Sequence, residues 1–512
     1  MADDAIGADG ISRAGLYDIA IIGGGINGVG IARDAAGRGL STLLAEQDDL
    51  ASHTSSASTK LIHGGLRYLE NYDFRLVREA LLERERLMES APHLIQPLRF
   101  VLPHDPSIRP AWLVRLGLGL YDWLAPRRHL QRSSSMDLRT HGIGRDLNGM
   151  FSQGFVYSDC WGDDSRLVAL SAVDAAERGA SILTRTKVVS AVRVDGLWEL
   201  ALQSGSSGKV NKIQARALVN GAGPWAAAVR QDMLGLPASK KVRLVKGSHI
   251  AVPALYSGDH AFILQMRDRR IVFVIPYEGR FTLIGTTDIP FEGDPSHVQA
   301  SDAEINYLCE SVNRYFREPV CPSDVVWTFS GIRLLADDGA ANPSTITRDY
   351  VLDLDAPKNE APVLSIFGGK LTTFRRLAEN ALNALRPRFA KMGPSWTAKA
   401  KLPGGDIENA DIAAFAIAVR ERWPFLAPGT ALRFAHSYGT RVERILGEAR
   451  YIADLGRDFG CGLSEAELDY LARDEWVQTA DDVLWRRSKL GLHLSKAQAE
   501  AVAEYYGRRR AA

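Results

Sequence analysis

Residues 17–22, YDIAII, first alternate and then run apolar, and they favour β-branched types, so they predict a buried strand. A helical pattern follows over 27–38, with Ala32, Ala35 and Ala36 on one small-residue face, and Gly39 ends it. Residues 41–45 read as a second strand. The same rhythm returns downstream: a helix over 167–178, strands within 181–194, and strand, glycine turn and helix start in ALVNGAGPWA (217–226). It returns again in PVLSIF (362–367), where Gly368, Gly369, Lys370 and Leu371 form the turn before a helix starting near Thr372. Between these units, 240–335 alternates in short strands such as RIVFVIP and RFTLIGTTD, which suits an antiparallel sheet. LPGGDIE (402–408) reads as a linker, and 409–512 carries Ala, Leu and charge at helical spacing.

These patterns predict an α/β chain: a Rossmann-type nucleotide-binding domain interleaved with an antiparallel-sheet substrate (cap) domain, plus an all-α C-terminal domain. The expected division is a disordered lead-in (1–16), a discontinuous nucleotide domain (17–80, 151–235 and 340–395), a cap (81–150 and 236–339) and a helical domain (402–512). One stripe is ambiguous. In RPAWLVRLGLGLYDWLAPRRHLQR (109–132), Trp112, Leu113, Leu116, Leu120, Trp123 and Leu124 recur at helical spacing, flanked by Arg109, Arg115, Arg127, Arg128 and Arg132. Such stripes usually face a core; this one also suits a bilayer surface, where Trp and Arg meet headgroups. Gly117 and Gly119 weaken its helix signal.

Composition narrows the function. At 512 residues the chain is too long for one core. A formal net charge of +1 gives no field that favours nucleic acid. The four cysteines form no C-x-x-C pair and none has a histidine at ligand spacing, so no metal site is expected. The acidic first residues lack the apolar centre of a signal peptide, and no apolar run is long enough to span a bilayer.

The strongest motif is Gly23-x-Gly25-x-x-Gly28 between the first strand and helix, with Glu46 closing the second strand. Gly23 permits the tight turn, Gly25 lets a pyrophosphate approach the helix N-terminus, and Gly28 lets helix and strand pack. Glu46 stands where an acid binds a ribose hydroxyl. After the second strand comes a Ser/Ala-rich stretch, TSSASTK (54–60), rather than further β-α units. Its small residues can lie along a bulky cofactor, which favours FAD over a nicotinamide dinucleotide. No second G-x-G-x-x-G precedes a helix, so the electrons are expected to come from the substrate itself.

GGGINGVGIARDAAGRGLS, SSASTKLIHGGLRYLE, YSDCWGDDSRLV, LVNGAGPWA, KGSHIAVP, IGTTDIPFEGDP, ITRDY and FGGKLTTFRRLAE together resemble the FAD-dependent, respiratory glycerol-3-phosphate dehydrogenases of the D-amino-acid-oxidase-like superfamily. The resemblance covers nearly the whole chain. It departs after SG-x, where the family often has Arg-Pro and this chain has Arg333-Leu334. It implies FAD as cofactor, held by Gly23, Gly25, Asn27, Gly28, Glu46, Ser55, Ser56, Ser58, Lys60, Leu61, His63, Gly65, Val188, Ala222, Gly223, Trp225, Gly369, Leu371 and Thr372. It also implies oxidation of sn-glycerol 3-phosphate to dihydroxyacetone phosphate, with a membrane quinone as acceptor. The protein would then be cytoplasmic, peripherally attached to the anionic inner face of the cytoplasmic membrane. A homodimer stays open.

A phosphate monoester is nearly a dianion, and desolvating it takes several cations. Arg67, Arg333, Arg348 and Lys370 are the candidates that the resemblance selects, with Tyr68 beside Arg67 at the substrate. It also places His249 there as base for the hydroxyl proton, while His53 and His63 are expected to brace the cofactor. The expected division has Arg333 polarising the oxygen and Arg67, Arg348 and Lys370 holding the phosphate. Two rivals remain: an oxidase passing electrons to oxygen, and a flavin-binding module without turnover.

Overall fold

The computed structural model describes residues 15–205, 207–238, 240–268, 270–336 and 349–511. The strand Leu16–Ile22 lies at the centre of an eight-stranded sheet. Parallel to it on one side run Thr42–Ala45 and then Ser181–Leu183; on the other run Val210–Asn220 and then Val363–Phe367. Val351–Asp355 closes that edge antiparallel, and Thr186–Val194 and Leu197–Ser204 form a meander against Val210–Asn220. The central strands are buried nearly throughout, as a parallel sheet covered on both faces requires. One cover is the helix Ile26–Gly37, packed with Asp164–Glu177 and Phe374–Leu385.

Several expected bounds shift. The helix expected over 167–178 begins at Asp164, because the Asp163 side chain accepts from Arg166 N and caps it there. The helix expected near Thr372 begins at Phe374, after a single 3₁₀ turn, Leu371–Thr373.

The second sheet has ten strands, in the order Ile289–Pro290, Val242–Pro253, Phe281–Gly285, Ile271–Tyr277, Ala261–Gln265, Ile95–Pro103, Gln153–Gly162, Leu61–Ile62. Trp327–Ala336 pairs with Val242–Pro253, and Ser134–Asp137 with Gln153–Gly162. All its pairings are antiparallel except Ala261–Gln265 with Ile95–Pro103. Leu61–Ile62 and Gln153–Gly162 therefore join the cap sheet, whereas the sequence places their segments, 17–80 and 151–235, in the nucleotide domain. Gln153–Gly162 is buried at almost every position, so its pattern carries no face information that would assign it to either sheet.

The helix Ala111–Trp123 packs on this layer through Val114, Leu118 and Tyr121, while Trp112, Leu113, Leu116 and Trp123 face outward. The stripe read from the sequence is thus the solvent side of the helix, with Leu120 and Leu124 half-buried at its margin.

Residues 408–511 form helices around their own core of Trp423, Phe434, Tyr438, Leu468 and Leu471. Buried ion pairs join them to the nucleotide domain. Arg487 meets Asp49 at 2.9 Å and Arg166 meets Glu475, with all four side chains at zero exposure.

Candidate active site

A cavity of about 340 Å³ runs between the two sheets, from the Gly25 turn to the cap strands. At its first end the helix Ile26–Gly37 starts at Gly25 with no side-chain cap, so first-turn N–H groups are open to an anion. Ile26 N donates to Ser55 Oγ at 2.9 Å, and a Cβ at Gly25 would stand 3.1 Å from that oxygen. A Cβ at Gly28 would collide with the carbonyl oxygen of Gly23, whose φ of +107° favours glycine. Asn27 donates to Gly368 O at 3.1 Å, and its buried Oδ1 has no partner among the described residues. An uncapped helix start, a glycine cradle and an orphaned acceptor along one elongated cavity fit the diphosphate and ribityl chain of FAD.

Further along, Ser55, Ser58, Leu61, His63 and Gly65 line one wall, and Gly223, Gly369, Leu371 and Thr372 the other. His63 N donates to Thr372 Oγ1 at 3.1 Å, and Gly64 N to Tyr121 Oη at 2.8 Å. Tyr121 in turn donates to Asp159, which Arg84 neutralises. Burial pushes the His63 imidazole down to about 4, so it is neutral at physiological pH.

At the far end stand Arg67, Tyr68, His249, Arg333 and Lys370. Lys370 Nζ lies 3.7 Å from the centre of the Tyr68 ring. Arg67 is half-buried and makes no hydrogen bond or ion pair among the described residues. Arg333 pairs with Asp288 and donates to Thr286 Oγ1 at 3.2 Å and Thr287 O at 3.1 Å, so its charge is partly neutralised in place. His249 has Gly285 and Phe329 as its strand neighbours. A Cβ at Gly285 would collide with the imidazole, whereas Phe329 stacks on it at 4.7 Å and 12°. Burial first, then Lys60 and Arg333, push the His249 imidazole well below its usual value, so it is neutral and able to accept a proton.

Other candidates lie off the cavity. Glu46 is buried, and its carboxylate accepts from Gly24 N at 2.6 Å and Asp48 N at 2.8 Å. Lys60 is buried in an ion pair with Asp164 at 2.9 Å. Val188 packs with Leu183, Ala191 and Leu202 under the meander. Ala222 belongs to the turn after Val210–Asn220, next to the lining residue Gly223. Ser56 and Trp225 line a smaller adjoining cavity of about 190 Å³, where His53 meets the Trp225 ring edge-on at 4.7 Å. Arg348 lies outside the described residues. Sequence reasoning missed Thr59, Thr286 and Asp288, all of which line the main cavity. The acid closing the buried strand in LIGTTD was the available signal for Asp288.

Comparison with known proteins agrees with this geometry. Residues 18–373 match the family of FAD dependent oxidoreductases, and 395–508 match the C-terminal domain of alpha-glycerophosphate oxidase. A glycerol-3-phosphate dehydrogenase of Pseudomonas aeruginosa is 55% identical over 492 residues, which cover 96% of this chain and 95% of that one. A D-erythritol 1-phosphate dehydrogenase of Brucella abortus is 52% identical over 489 residues, which cover 96% and 97%. Among solved structures, the glycerol-3-phosphate dehydrogenase of Bacillus halodurans complexed with FAD superposes with a TM-score of 0.75 at 26% identity, covering 97% of this chain and 91% of that one. With two family matches in tandem and relatives above half identity along nearly its full length, the chain belongs to the glycerol-3-phosphate dehydrogenase family of FAD-dependent oxidoreductases.

Proposed function

We propose that the protein oxidises sn-glycerol 3-phosphate to dihydroxyacetone phosphate and passes the electrons to a membrane quinone. The observation that carries this reading is the lining of the cavity, which brings Arg67, Lys370 and Arg333 together with a neutral imidazole, His249. Bound FAD supplies a two-electron acceptor. Arg67 and Lys370 hold the phosphate, Arg67 with an uncommitted guanidinium. Arg333, braced by Asp288, faces the hydroxyl oxygen that becomes the ketone. His249 takes the hydroxyl proton. A module that only stored flavin would have no use for a dianion site.

Among the described residues no helix is long and apolar enough to cross a membrane. Quinone access then requires a surface, and the outward face of Ala111–Trp123 is our candidate, docked on the inner leaflet of the cytoplasmic membrane. Trp112, Leu116 and Trp123 are 67%, 62% and 82% exposed, a density of large apolar side chains that marks interaction sites. The flanking arginines contribute less lipid attraction than their number suggests. Arg109 pairs with Glu70, Arg127 with Asp122 and Arg128 with Glu89, which leaves Arg115 and Arg132 without an acidic partner among the described residues.

The D-erythritol 1-phosphate dehydrogenase stands almost as near in sequence, so a longer polyol phosphate is the second reading. Anaerobic titration of the FAD-loaded protein separates the two. Glycerol 3-phosphate should bleach the flavin at a higher kcat/KM than D-erythritol 1-phosphate, and a quinone analogue should restore the colour faster than air-saturated buffer. Bleaching only by the four-carbon phosphate would overturn the substrate, and faster recovery in air would overturn the acceptor.

A further inference from the structure

His249 is only 2% exposed, and although the residue borders the cavity, the polar edge of its ring is enclosed by protein. One face stacks on Phe329, a Cβ on Gly285 would collide with the ring, and Nδ1 is buried without a partner among the described residues. Among the described residues Nε2 has a single partner, Thr59 Oγ1, at 2.9 Å. Thr59 is half-buried and lines the cavity beside Thr286 and Arg333. A hydroxyl that itself borders the substrate space is therefore the polar neighbour of the ring nitrogen that can act as base.

The position of Thr59 is enforced from both sides. Its neighbours Ser58 and Lys60 are anchored on the same buried carboxylate, Asp164. Ser58 Oγ donates to it at 2.7 Å and Lys60 Nζ at 2.9 Å. Lys60 N also donates to Ser58 Oγ at 2.9 Å, which closes the backbone tightly around Thr59. Lys60 holds a left-handed φ of +58°, a conformation that a non-glycine residue keeps only when its surroundings impose it. The carboxylate in turn sits at the start of the helix Asp164–Glu177, next to Ser165, which accepts from Lys489 of the helical domain at 2.5 Å.

We infer that Thr59 is a catalytic proton relay, conducting the substrate proton to His249. Resting on the reading that a polyol phosphate is oxidised here, the step balances as follows. The substrate O–H bond breaks and its proton passes to Thr59 Oγ1, while the proton of Thr59 passes to His249 Nε2. The carbinol carbon gives up its hydrogen with the electron pair to the FAD that the family employs, and the C–O bond becomes a carbonyl. The relay requires the neutral ring to carry its proton on Nδ1, leaving the Nε2 lone pair to accept.

Three measurements test it. In single-turnover mixing, Thr59→Val should slow flavin reduction about 100-fold at unchanged FAD content, whereas Thr59→Ser, which keeps the hydroxyl, should stay within about 5-fold of wild type. Reduction of Thr59→Val at the wild-type rate overturns the relay, as does an equal loss in both variants. A proton inventory on the wild-type holoenzyme needs no variant: two protons in flight bow the plot of rate against deuterium fraction, and a straight line overturns the relay. In protein labelled with ¹⁵N-histidine, His249 Nε2 should resonate as an unprotonated nitrogen and shift in Thr59→Val; a protonated Nε2 overturns the assignment. Wild-type flavin that neither glycerol 3-phosphate nor D-erythritol 1-phosphate bleaches refutes the polyol-phosphate reading and the relay with it, whereas bleaching with a straight inventory refutes the relay alone.

Discussion

The outward helix face offers a test in which two substitutions two residues apart should fail in opposite ways. Leu116 is 62% exposed and Leu118 is fully buried. Full burial of a leucine side chain is worth about 1.5–3 kcal/mol, so the exposed part of Leu116 brings about 1–2 kcal/mol to a bilayer contact. Placing Asp there adds a cost of about 2 kcal/mol at a depth short of the bilayer centre. Leu116→Asp should therefore weaken vesicle binding by about 3 kcal/mol, roughly 100-fold. In water the same change exposes nothing new, and stability should stay within about 0.5 kcal/mol. Leu118→Asp buries a carboxylate against Val114 and Tyr121, so it should cost about 3–5 kcal/mol of folding and release FAD. Flotation with anionic vesicles, thermal melting and flavin absorbance read all of this. Quinone-linked turnover of Leu116→Asp should fall while turnover with a soluble dye persists. If Leu116→Asp still floats with vesicles like wild type, or if it loses FAD, the docking face is wrong.

Further outcomes follow from the site and from the buried ionisable groups. Gly25→Val puts a branched side chain against Ser55 where the diphosphate passes, so the purified protein should be colourless; retained yellow colour would contradict the cradle. Arg67→Ala removes an uncommitted cation and should raise KM for glycerol 3-phosphate about 30-fold, near 2 kcal/mol, with kcat changed less; a loss confined to kcat would contradict its phosphate role. His93 has no exposure, neither of its ring nitrogens has a partner, and burial pushes it down to about 3. Below its unfolded value of about 6.5 the unfolded chain binds a proton that the native state refuses, so stability falls as pH drops from there towards 3, by up to about 1.4 kcal/mol per pH unit. His93→Gln should flatten that slope in denaturant melts at pH 6.5 and 5.5, and an unchanged slope would place the acid sensitivity elsewhere. Arg487→Met removes one of the two arginines paired with the Asp49 carboxylate, leaving Arg486, and should cost about 1.5–3 kcal/mol, read as a lowered Tm.

What could be read from sequence here was local. The Gly23–Gly28 turn declares itself because strand, glycines and helix are adjacent and each has its own periodicity. The fold class followed from the alternation of such units. Thr59, in the turn before Leu61–Ile62, and His249, on Val242–Pro253, meet only through the tertiary fold, and no local pattern reports a contact 190 positions apart. Lys60 reads as a cofactor contact from its place in TSSASTK, while its side chain is held by Asp164, 104 positions away at the start of the helix Asp164–Glu177. The helix Ala111–Trp123 carries apolar residues on both faces, so spacing alone could not say which face the core takes. Only packing shows that Val114, Leu118 and Tyr121 go in and that the tryptophans stay out.

The interleaving of the parallel sheet also governs how the protein can be made. Leu16–Ile22 leaves the ribosome early, but its neighbour Val210–Asn220 must wait, and Val363–Phe367 with the Gly369–Thr372 wall comes later still. At about 5–20 residues per second, that delay is on the order of 20–60 s. Throughout it the nascent chain displays apolar strands with unsatisfied edges, which invites chaperone capture. Asp49 then waits for Arg487, close to the end of translation. The cavity lining is therefore incomplete until Thr372 has been made, so FAD loading should wait for roughly the first three-quarters of the polypeptide, and a chain stopped before that point should yield an aggregation-prone fragment.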